Sequence, residues 1–402
     1  MEDFIKFLRE NKIPYKENES LKNYCTYKIG EKARLVVEPR DTKSLVKLID
    51  YIKTNNIKHM IIGYGSNLIF PDTNYDGAII RLVNMSEIEY IGENLFKAGA
   101  GISLQKLAMV LSSKGYTGIE FATAIPGTLG GAIYMNAGAY KSDMGYITSH
   151  VEVLTPELKI ITLANKELNF HYRTSFFQTN PGYIILNATI SLKKANVDEV
   201  MELIKDRSLR RKASQPIEYP SAGSVFRNPE EIPAGMLIEE LGLKNKTCGG
   251  AQISSKHANF IINIGNAKGS DILELIKLVK KEAKEKRNIE LKEEKENDLK
   301  EEYFKILNKE YIDNIKEKNI EENEEKNDID DLEDLKLEDD IKNDKEEENE
   351  ELETDKIKEE KSEEKLKDEP KKTRGRKKIE ENTSDNLAED FLNNLDSTIR
   401  KG

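Results

Sequence analysis

Residues 120–145 read EFATAIPGTLGGAIYMNAGAYKSDMG. Glycine and other small residues stand here where a folded domain normally places bulky side chains, although glycine is unfavourable inside helices and strands. Such a run indicates that the backbone itself must approach something closely, because amides without a neighbouring Cβ can reach a phosphate or a flat ring. The stretch therefore predicts a loop that binds a ligand through its main chain.

A second run, Gly63-Tyr64-Gly65-Ser66-Asn67-Leu68, directly follows the apolar, strand-like residues 60–62. Residues 61–145 contain 13 of the 24 glycines of the chain. A single loop of this kind is more often a tight turn. Two such loops in one region favour a large phosphate-bearing cofactor that is held by the backbone.

The sequence lacks the motifs of three common sites: the dinucleotide-binding turn, the P-loop and the hydrolase nucleophile elbow. Gly99-Ala100-Gly101 begins like a dinucleotide-binding turn, but Leu104 occupies the place of the third glycine. No Gly-Lys-Ser or Gly-Lys-Thr is present, which excludes a P-loop. Ser224 lacks the Gly-x-Ser-x-Gly elbow of a hydrolase nucleophile.

Charge divides the chain into two parts. Residues 1–300 carry 42 Lys and Arg against 37 Asp and Glu, a net charge of +5, whereas residues 301–402 carry 21 against 37, a net charge of −16. The first part has the composition of two or three folded domains. The second part is more than half charged, so it buries too little apolar surface to fold, and we expect a disordered tail.

The two cysteines, Cys25 and Cys248, are far apart and have no metal-ligand spacing. This usage is typical of reduced thiols in a cytoplasmic protein and argues against a disulfide scaffold or a metal site. The first residues, MEDFIKFLRENK, lack the apolar core of a secretory signal, and no stretch approaches the roughly 18 apolar residues of a membrane helix. We therefore expect a cytoplasmic protein without a membrane contact.

Periodicity predicts alternating strands and helices. Asp41-Thr42 is expected to cap a helix, and Ser103 to cap another that ends at Gly115. Short strands are expected at 33–37, 60–62, 78–83, 95–98, 151–154, 159–163 and 183–192. The remaining elements predict a compact α/β region: helices at 197–212 and 270–286, the second capped by Ser270, and strands at 224–226 and 259–264.

Three further segments carry candidate site residues: Tyr172-Arg173, Ser224 and Glu293-Glu294. Each has a simpler explanation when it is taken alone. An arginine beside an aromatic residue is more often part of a surface ion pair, a serine is more often a turn or cap residue, and neighbouring acids are more often a solvated face.

The order of these motifs resembles the UDP-N-acetylenolpyruvoylglucosamine reductase family, flavoenzymes of bacterial peptidoglycan synthesis. The matching segments run from Asn23 to Leu291 and comprise NYCTYKIG, GYGSN, IPGTLGGAIYMNAGAY, YRTSFF, YPSAGSVFRNP, GMLIEE, GGAQIS and KHA. The short span between Arg173 and Ser224 resembles the form of the family that lacks an extra tyrosine-bearing loop.

The resemblance implies an α+β fold. Its FAD-binding domain would be of the p-cresol methylhydroxylase type, with one subdomain at residues 1–60 and another at 61–194. A smaller α/β substrate domain would follow at 195–298, and the disordered charged tail would occupy 299–402.

The resemblance also implies the site residues. Arg173, Ser224 and Glu294 would be catalytic, with Glu293 as the alternative acid. Tyr172, Arg173 and Lys212 would bind substrate, although Arg210 and Arg211 are also candidates for its diphosphate. FAD would lie against Gly63, Tyr64, Gly65, Ser66, Asn67, Leu68, Ile125, Pro126, Gly127, Gly130, Gly131, Asn136 and Gly138, where Tyr64 replaces a glycine common in the family.

The implied reaction passes hydride from NADPH through FAD to the vinyl carbon of UDP-N-acetylglucosamine enolpyruvate and yields UDP-N-acetylmuramate. Arg173 would stabilise the enolate, Glu294 would support it, and Ser224 would donate a proton. No metal is expected, and the enzyme is expected to be a monomer.

Two other functions stay open on the sequence. A different flavin oxidoreductase of the same superfamily would not need Arg173, Ser224 and Glu294 together. A nucleic-acid-binding protein could act through the basic segment 371–378, KKTRGRKK, but the surrounding acidic residues would repel phosphate.

Overall fold

The computed structural model describes residues 1–294, and Glu294 is the last residue whose structure is described. The predicted tail at 299–402 and its basic segment at 371–378 lie outside the described residues. Residues 1–294 fall within a single unit of dense internal contacts. Within them the predicted mixture of helices and strands is observed.

The first sheet contains parallel and antiparallel strands. It is formed by β1 (Tyr15–Ser20), β2 (Lys32–Val37), β3 (His59–Ile62) and β4 (Tyr75–Arg81), in the order β1-β2-β4-β3. β1 pairs antiparallel with β2, whereas β4 pairs parallel with β2 and β3. Helices α1 (Glu2–Glu10) and α2 (Thr42–Thr54) bury apolar faces beside it. The Asp41 carboxylate accepts from the backbone N–H of Ser44, as the predicted cap requires.

The second sheet is entirely antiparallel. Its strands are β5 (Ile88–Gly92), β6 (Leu95–Gly99), β10 (Thr148–Leu154), β11 (Ile160–Ala164) and β12 (Ile184–Ser191), in the order β11-β10-β12-β6-β5. Between β6 and β10 lie α3 (Leu104–Ser113), β7 (Tyr116–Thr117), α4 (Leu129–Tyr134), β8 (Gly138–Ala139), β9 (Ser142–Asp143) and α5 (Met144–Ile147). The predicted Ser103 cap of α3 is confirmed by its bond to the N–H of Lys106.

α6 (Phe176–Thr179) lies between β11 and β12. The elements that follow β12 are β13 (Lys193–Lys194), α7 (Val197–Ser214), α8 (Ala234–Glu240), β14 (Thr247–Cys248), β15 (Ala251–Ile253), β16 (Ile261–Asn263) and α9 (Gly269–Arg287). The predicted apolar stripe of α9 is buried, from Ile272 to Ala283. β14, β15 and β16 form a small antiparallel sheet.

Two local predictions were wrong. Residues 224–226 form no strand; Phe226 makes an isolated bridge with Glu293. Ser270 does not cap α9, which already begins at Gly269. The distant carboxylate of Asp72 instead accepts from the N–H groups of Gly269 and Ser270, at 2.6 and 3.0 Å, and so satisfies the first turn of the helix.

The first sheet separates two hydrophobic cores. Leu35 and Val37 of β2 face the first core, which includes α1, α2 and the second sheet, whereas Val36 between them faces the second. The second core joins residues 21–29 to α8 and α9. The predicted limit at residue 60 lies inside β3, and the division into domains stays a prediction.

Candidate active site

The two glycine-rich loops are in direct contact. Ser66 Oγ donates a hydrogen bond to the carbonyl of Pro126 over 2.9 Å. A Cβ at Gly63 would lie only 2.4 Å from Thr128 Oγ1, so any other residue there would push the loops apart. The structure therefore brings together the two segments that the sequence assigned to one cofactor.

The first loop offers its backbone to a ligand. Within residues 1–294, the backbone N–H groups of residues 63–67 donate no hydrogen bond to another protein group. Gly65 has a φ of +63°, and a Cβ there would lie 2.2 Å from the carbonyl oxygen of Tyr24. A row of unbound amides is an anion-binding feature, so this loop fits the pyrophosphate of FAD.

The other residues assigned to FAD differ in exposure. Tyr64 is 36 % exposed, and the burial of the rest of its side chain raises the pKa of the phenol. Asn67 is half-buried, Leu68 packs beside the second core and Ile125 beside the first. Pro126 and Gly131 are exposed, Gly127 has a φ of +138°, and Gly130 packs on Ala100.

The side chain of Asn136 is buried, and its predicted cofactor role stays a prediction. Its side chain is 1 % exposed, and both ends of the amide are bound by the protein. Nδ2 donates to the carbonyl of His171 at 2.8 Å, and Oδ1 accepts from the N–H of Gly145 at 2.9 Å. This side chain fastens the loop to the hairpin that carries Tyr172 and Arg173.

That hairpin is a tight turn. His171 and Thr174 exchange two backbone hydrogen bonds, which leaves Tyr172 and Arg173 at its tip. Tyr172 is 53 % exposed, and the Arg173 guanidinium lies 5.1 Å from the centre of its ring. Nη2 of Arg173 also donates to the carbonyl of Gly138 at 2.8 Å, so the hairpin adjoins the glycine-rich loop.

The last described residues complete the site. Arg173 Nε lies 3.3 Å from Glu294 Oε1, and each side chain is about one-fifth exposed. The N–H of Glu294 donates to the carbonyl of Val225 at 2.8 Å, which places Ser224 one residue from this contact. Among residues 1–294, the Ser224 hydroxyl makes no hydrogen bond to another protein group.

The two candidate acids have different partners. Both oxygens of Glu293 contact Lys280 Nζ, at 3.2 and 3.4 Å, whereas Glu294 contacts Arg173. Successive residues of an extended segment point to opposite sides, which explains the split. The geometry supports Glu294 rather than Glu293 as the acid near the hairpin.

Helix α7 presents several basic residues near the loop. Tyr140, two residues beyond Gly138, lies under the guanidinium of Arg207 at 4.7 Å and donates its hydroxyl to the Arg207 carbonyl. One helical turn further, burial lowers the pKa of Arg211, whose guanidinium has no hydrogen bond or carboxylate partner among the described residues. Arg210 instead pairs with Asp206.

The predicted substrate ligand Lys212 has an exposed side chain at the end of α7. Its backbone carbonyl accepts a hydrogen bond from Lys256 Nζ at 2.7 Å. Within residues 1–294 no group of three His, Cys, Asp or Glu side chains could hold a metal ion. The same residues contain no helix that is long and apolar enough to span a membrane.

Two family profiles match this chain. The FAD binding domain profile matches residues 33–164, and the profile described as UDP-N-acetylenolpyruvoylglucosamine reductase, C-terminal domain, matches residues 215–296. The UDP-N-acetylenolpyruvoylglucosamine reductase of Anoxybacillus flavithermus is 44 % identical over 274 residues, which cover 68 % of this chain and 91 % of the relative. The chain belongs to the UDP-N-acetylenolpyruvoylglucosamine reductase family.

The chain is also similar to other members of the reductase family. The Bacillus subtilis reductase is 40 % identical over 293 residues, covering 72 % of this chain and 96 % of that one. The crystal structure of the Thermus caldophilus reductase superposes with a TM-score of 0.60 at 30 % identity, covering 71 % of this chain and 98 % of that one.

Membership of the reductase family confirms the predicted α+β fold class, the FAD and NADPH cofactors and the function. The chain is an FAD-dependent oxidoreductase that reduces UDP-N-acetylglucosamine enolpyruvate to UDP-N-acetylmuramate with NADPH, in peptidoglycan precursor synthesis. Sequence reasoning missed Tyr140, Arg207 and the amide of Gln178, because only their long-range contacts connect them with the site.

Proposed function

We propose that reduction takes place where Arg173, Glu294 and Ser224 meet beside the glycine-rich loops. The observation that carries this proposal is the ion pair between Arg173 and Glu294, whose atoms approach to 3.3 Å across 121 positions of sequence. A cation, a carboxyl group and a hydroxyl at one place suit a reaction that binds a carboxylate and delivers a proton.

The loops hold the cofactor. Bound FAD supplies the redox chemistry, because it accepts hydride from NADPH and passes it to the terminal vinyl carbon of the substrate. The unbound N–H groups of residues 63–67 would bind its pyrophosphate, and residues 125–138 would border its ring system. NADPH and the substrate would use the same opening in turn.

Arg173 binds the substrate carboxylate. Its guanidinium has five N–H donors, of which those to Glu294 and Gly138 are used by the protein. The remaining donors form a planar fork that matches a carboxylate. Negative charge spreads onto this carboxylate when hydride adds to the vinyl carbon, so the bond to Arg173 strengthens in the transition state.

Ser224 supplies the proton. Hydride addition leaves an electron pair on the carbon next to the carboxylate, and this carbon takes the hydroxyl proton of Ser224. Solvent then restores the proton to the serine oxygen. The absence of a protein hydrogen bond to this hydroxyl, within the described residues, leaves it available to the substrate.

Glu294 has two tasks. It accepts from Arg173 Nε and so fixes one edge of the guanidinium, and through this guanidinium it supports the substrate's enolate. Its neighbour Glu293 is held by Lys280, which supports the assignment to Glu294.

The diphosphate of the substrate binds at α7. Lys212, predicted for this role, is a solvated ammonium at the helix end. Arg211 is better supported, because it is partly dehydrated, has no carboxylate partner among residues 1–294 and lies on the side of α7 that packs near Tyr140. A dehydrated guanidinium binds phosphate more strongly than an exposed ammonium does.

The proposal extends to the compartment, the oligomeric state, the tail and the domain limits. The enzyme acts in the cytoplasm as a monomer, which its two free thiols support for the compartment. The tail makes no nucleic-acid contact, since acidic residues surround the basic segment 371–378. The domain limits at 60, 194 and 298 are best tested by limited proteolysis.

One spectroscopic experiment tests the assignment. The purified full chain should be yellow, lose its flavin absorbance with NADPH in the absence of oxygen, and regain it when UDP-N-acetylglucosamine enolpyruvate is added. An Arg173→Gln chain should still be bleached by NADPH but regain colour slowly. Rapid recovery in that variant would contradict the proposed role of Arg173.

A further inference from the structure

The backbone of Arg173 has an unusual conformation. Its φ is +55°, in the left-handed region that non-glycine residues rarely adopt. Residues in such conformations persist only where the surrounding structure holds them, and they cluster at functional sites. The contacts around residue 173 therefore decide where its guanidinium stands.

The side chain of Gln178 forms a hydrogen bond with the backbone of Arg173. Gln178 lies in α6, five residues beyond Arg173, and is 4 % exposed. Its Nε2 donates to the carbonyl of Arg173 and to the carbonyl of Tyr134, both at 3.1 Å. One amide thus joins the Arg173 turn to the C-terminal end of α4 in the glycine-rich loop.

Only the donor half of this amide is used. Within residues 1–294, the Oε1 atom of Gln178 is buried and has no hydrogen-bond partner. The reverse orientation of the amide would place that oxygen against two carbonyl oxygens, so the orientation is fixed by chemistry. A buried acceptor without a partner is unfavourable, and its presence here points to a requirement for the donor.

We propose that Gln178 is a positioning residue for Arg173. By holding the carbonyl of residue 173 against the carbonyl end of α4, it sets the guanidinium at the place where Gly138 and Glu294 bind it. The inference rests on the proposed carboxylate-binding role of Arg173. A displacement of about 1 Å in such a group costs on the order of 10²-fold in rate.

Three variants of the full chain separate positioning from folding. Gln178→Met and Gln178→Glu both keep the approximate length and remove the amide donors, and Gln178→Glu also places carboxylate oxygens against the two carbonyl oxygens. Asn180→Leu is the matched control, because Asn180 lies just beyond α6 and donates to the Phe176 carbonyl at 2.8 Å without contacting Arg173. Flavin reduction by NADPH and reoxidation by the enolpyruvyl substrate are timed separately, and thermal unfolding of the FAD-free chains is recorded.

Gln178→Met should slow reoxidation by about 10- to 100-fold with little change in reduction, because NADPH carries no carboxylate for Arg173 to bind. Gln178→Glu should slow reoxidation at least as much, and Asn180→Leu should leave both steps unchanged. The proposal is overturned if Gln178→Met or Gln178→Glu reoxidises like the wild type, or if Gln178→Met slows both steps equally.

Arg173→Gln in the same assay separates this proposal from the one on which it rests. Slow reoxidation in Arg173→Gln with normal reoxidation in Gln178→Met overturns the positioning role alone. Normal reoxidation in Arg173→Gln overturns the role of Arg173 and the positioning role with it.

Discussion

The backbone carbonyl of Gly138 accepts a hydrogen bond from Arg173 Nη2 at 2.8 Å. Gly138 ends the glycine-rich loop assigned to the flavin, and Arg173 is the residue assigned to the substrate carboxylate. The surfaces proposed for cofactor and substrate are therefore connected by one direct contact, and a change in either is expected to affect the other.

Ser224→Ala should leave FAD bound and reducible by NADPH but slow its reoxidation by the enolpyruvyl substrate. Loss of a positioned proton donor typically costs about 10²–10⁴-fold. Stopped-flow absorbance of the flavin measures both steps, and Ser221→Ala in the same segment is the control. Reoxidation at nearly the wild-type rate would exclude Ser224 as the donor.

Arg173→Lys should lower kcat/KM although the positive charge is kept. Lysine lacks the planar fork that binds a carboxylate and cannot hold Gly138, Glu294 and substrate together. Loss of a charge-assisted hydrogen bond of about 1.5–3 kcal/mol corresponds to about 10- to 100-fold. Arg34→Lys, at an exposed ion pair with Asp76, should have no effect on steady-state kinetics. Unchanged efficiency in Arg173→Lys would refute the argument.

Glu294→Gln should reduce the rate of reoxidation strongly, whereas Glu293→Gln should not. The first change removes the carboxylate that contacts Arg173, whereas the second changes a carboxylate that contacts the half-exposed Lys280. The two variants differ by one position and are otherwise chemically identical. A larger loss in Glu293→Gln than in Glu294→Gln would reverse the assignment.

A chain shortened to residues 1–287 should be inactive but still bind FAD. The cut removes Leu291, which is buried, and Glu294, whereas the loops assigned to FAD lie far upstream. A chain of residues 1–300 should keep most of its activity, as the composition of the removed part predicts. Flavin content and turnover are measured for both, and full activity of the shorter chain would contradict any catalytic glutamate at 293 or 294.

Arg211→Gln should raise the KM for the UDP-linked substrate by about 10-fold or more, because a dehydrated guanidinium makes strong charge-assisted bonds with phosphate. Lys212→Gln is the matched neighbour and should change KM much less. Initial rates at varied substrate concentration decide between them. A larger effect of Lys212→Gln would support the residue chosen from the sequence.

Periodicity and capping residues predicted longer elements such as α3 and α9. The Ser103 cap and the buried stripe of α9 depend on neighbouring residues alone, so the sequence carries them. The cap of α9 was mistaken because its acceptor, Asp72, is 197 positions away. The strand at 224–226 was mistaken because those residues pair with the segment 291–294 and with Asn259 rather than with a sheet.

The chemistry of the site was predictable only in part. The composition of the glycine-rich loops predicts that they bind a ligand, because binding through the main chain requires small residues. The assignment of Asn136 to the cofactor stays a prediction, and the bond of its amide to His171, 35 positions away, could not be predicted from the loop alone. Gln178 gave no signal at all, since a glutamine near an arginine is ordinary until its two carbonyl partners are known.

The pairing of residues 291–294 with residues 225–227 predicts how activity changes with temperature. Backbone hydrogen bonds outside the sheets join Arg227 to Lys292 and Glu294 to Val225. Segments outside the core sheets open locally at a lower free energy than whole domains do. The carboxyl group proposed as catalytic is then in place only for the closed fraction of the time, so warming should reduce turnover before the sheets melt, and the amide of Glu294 should exchange with deuterium earlier than those of β12.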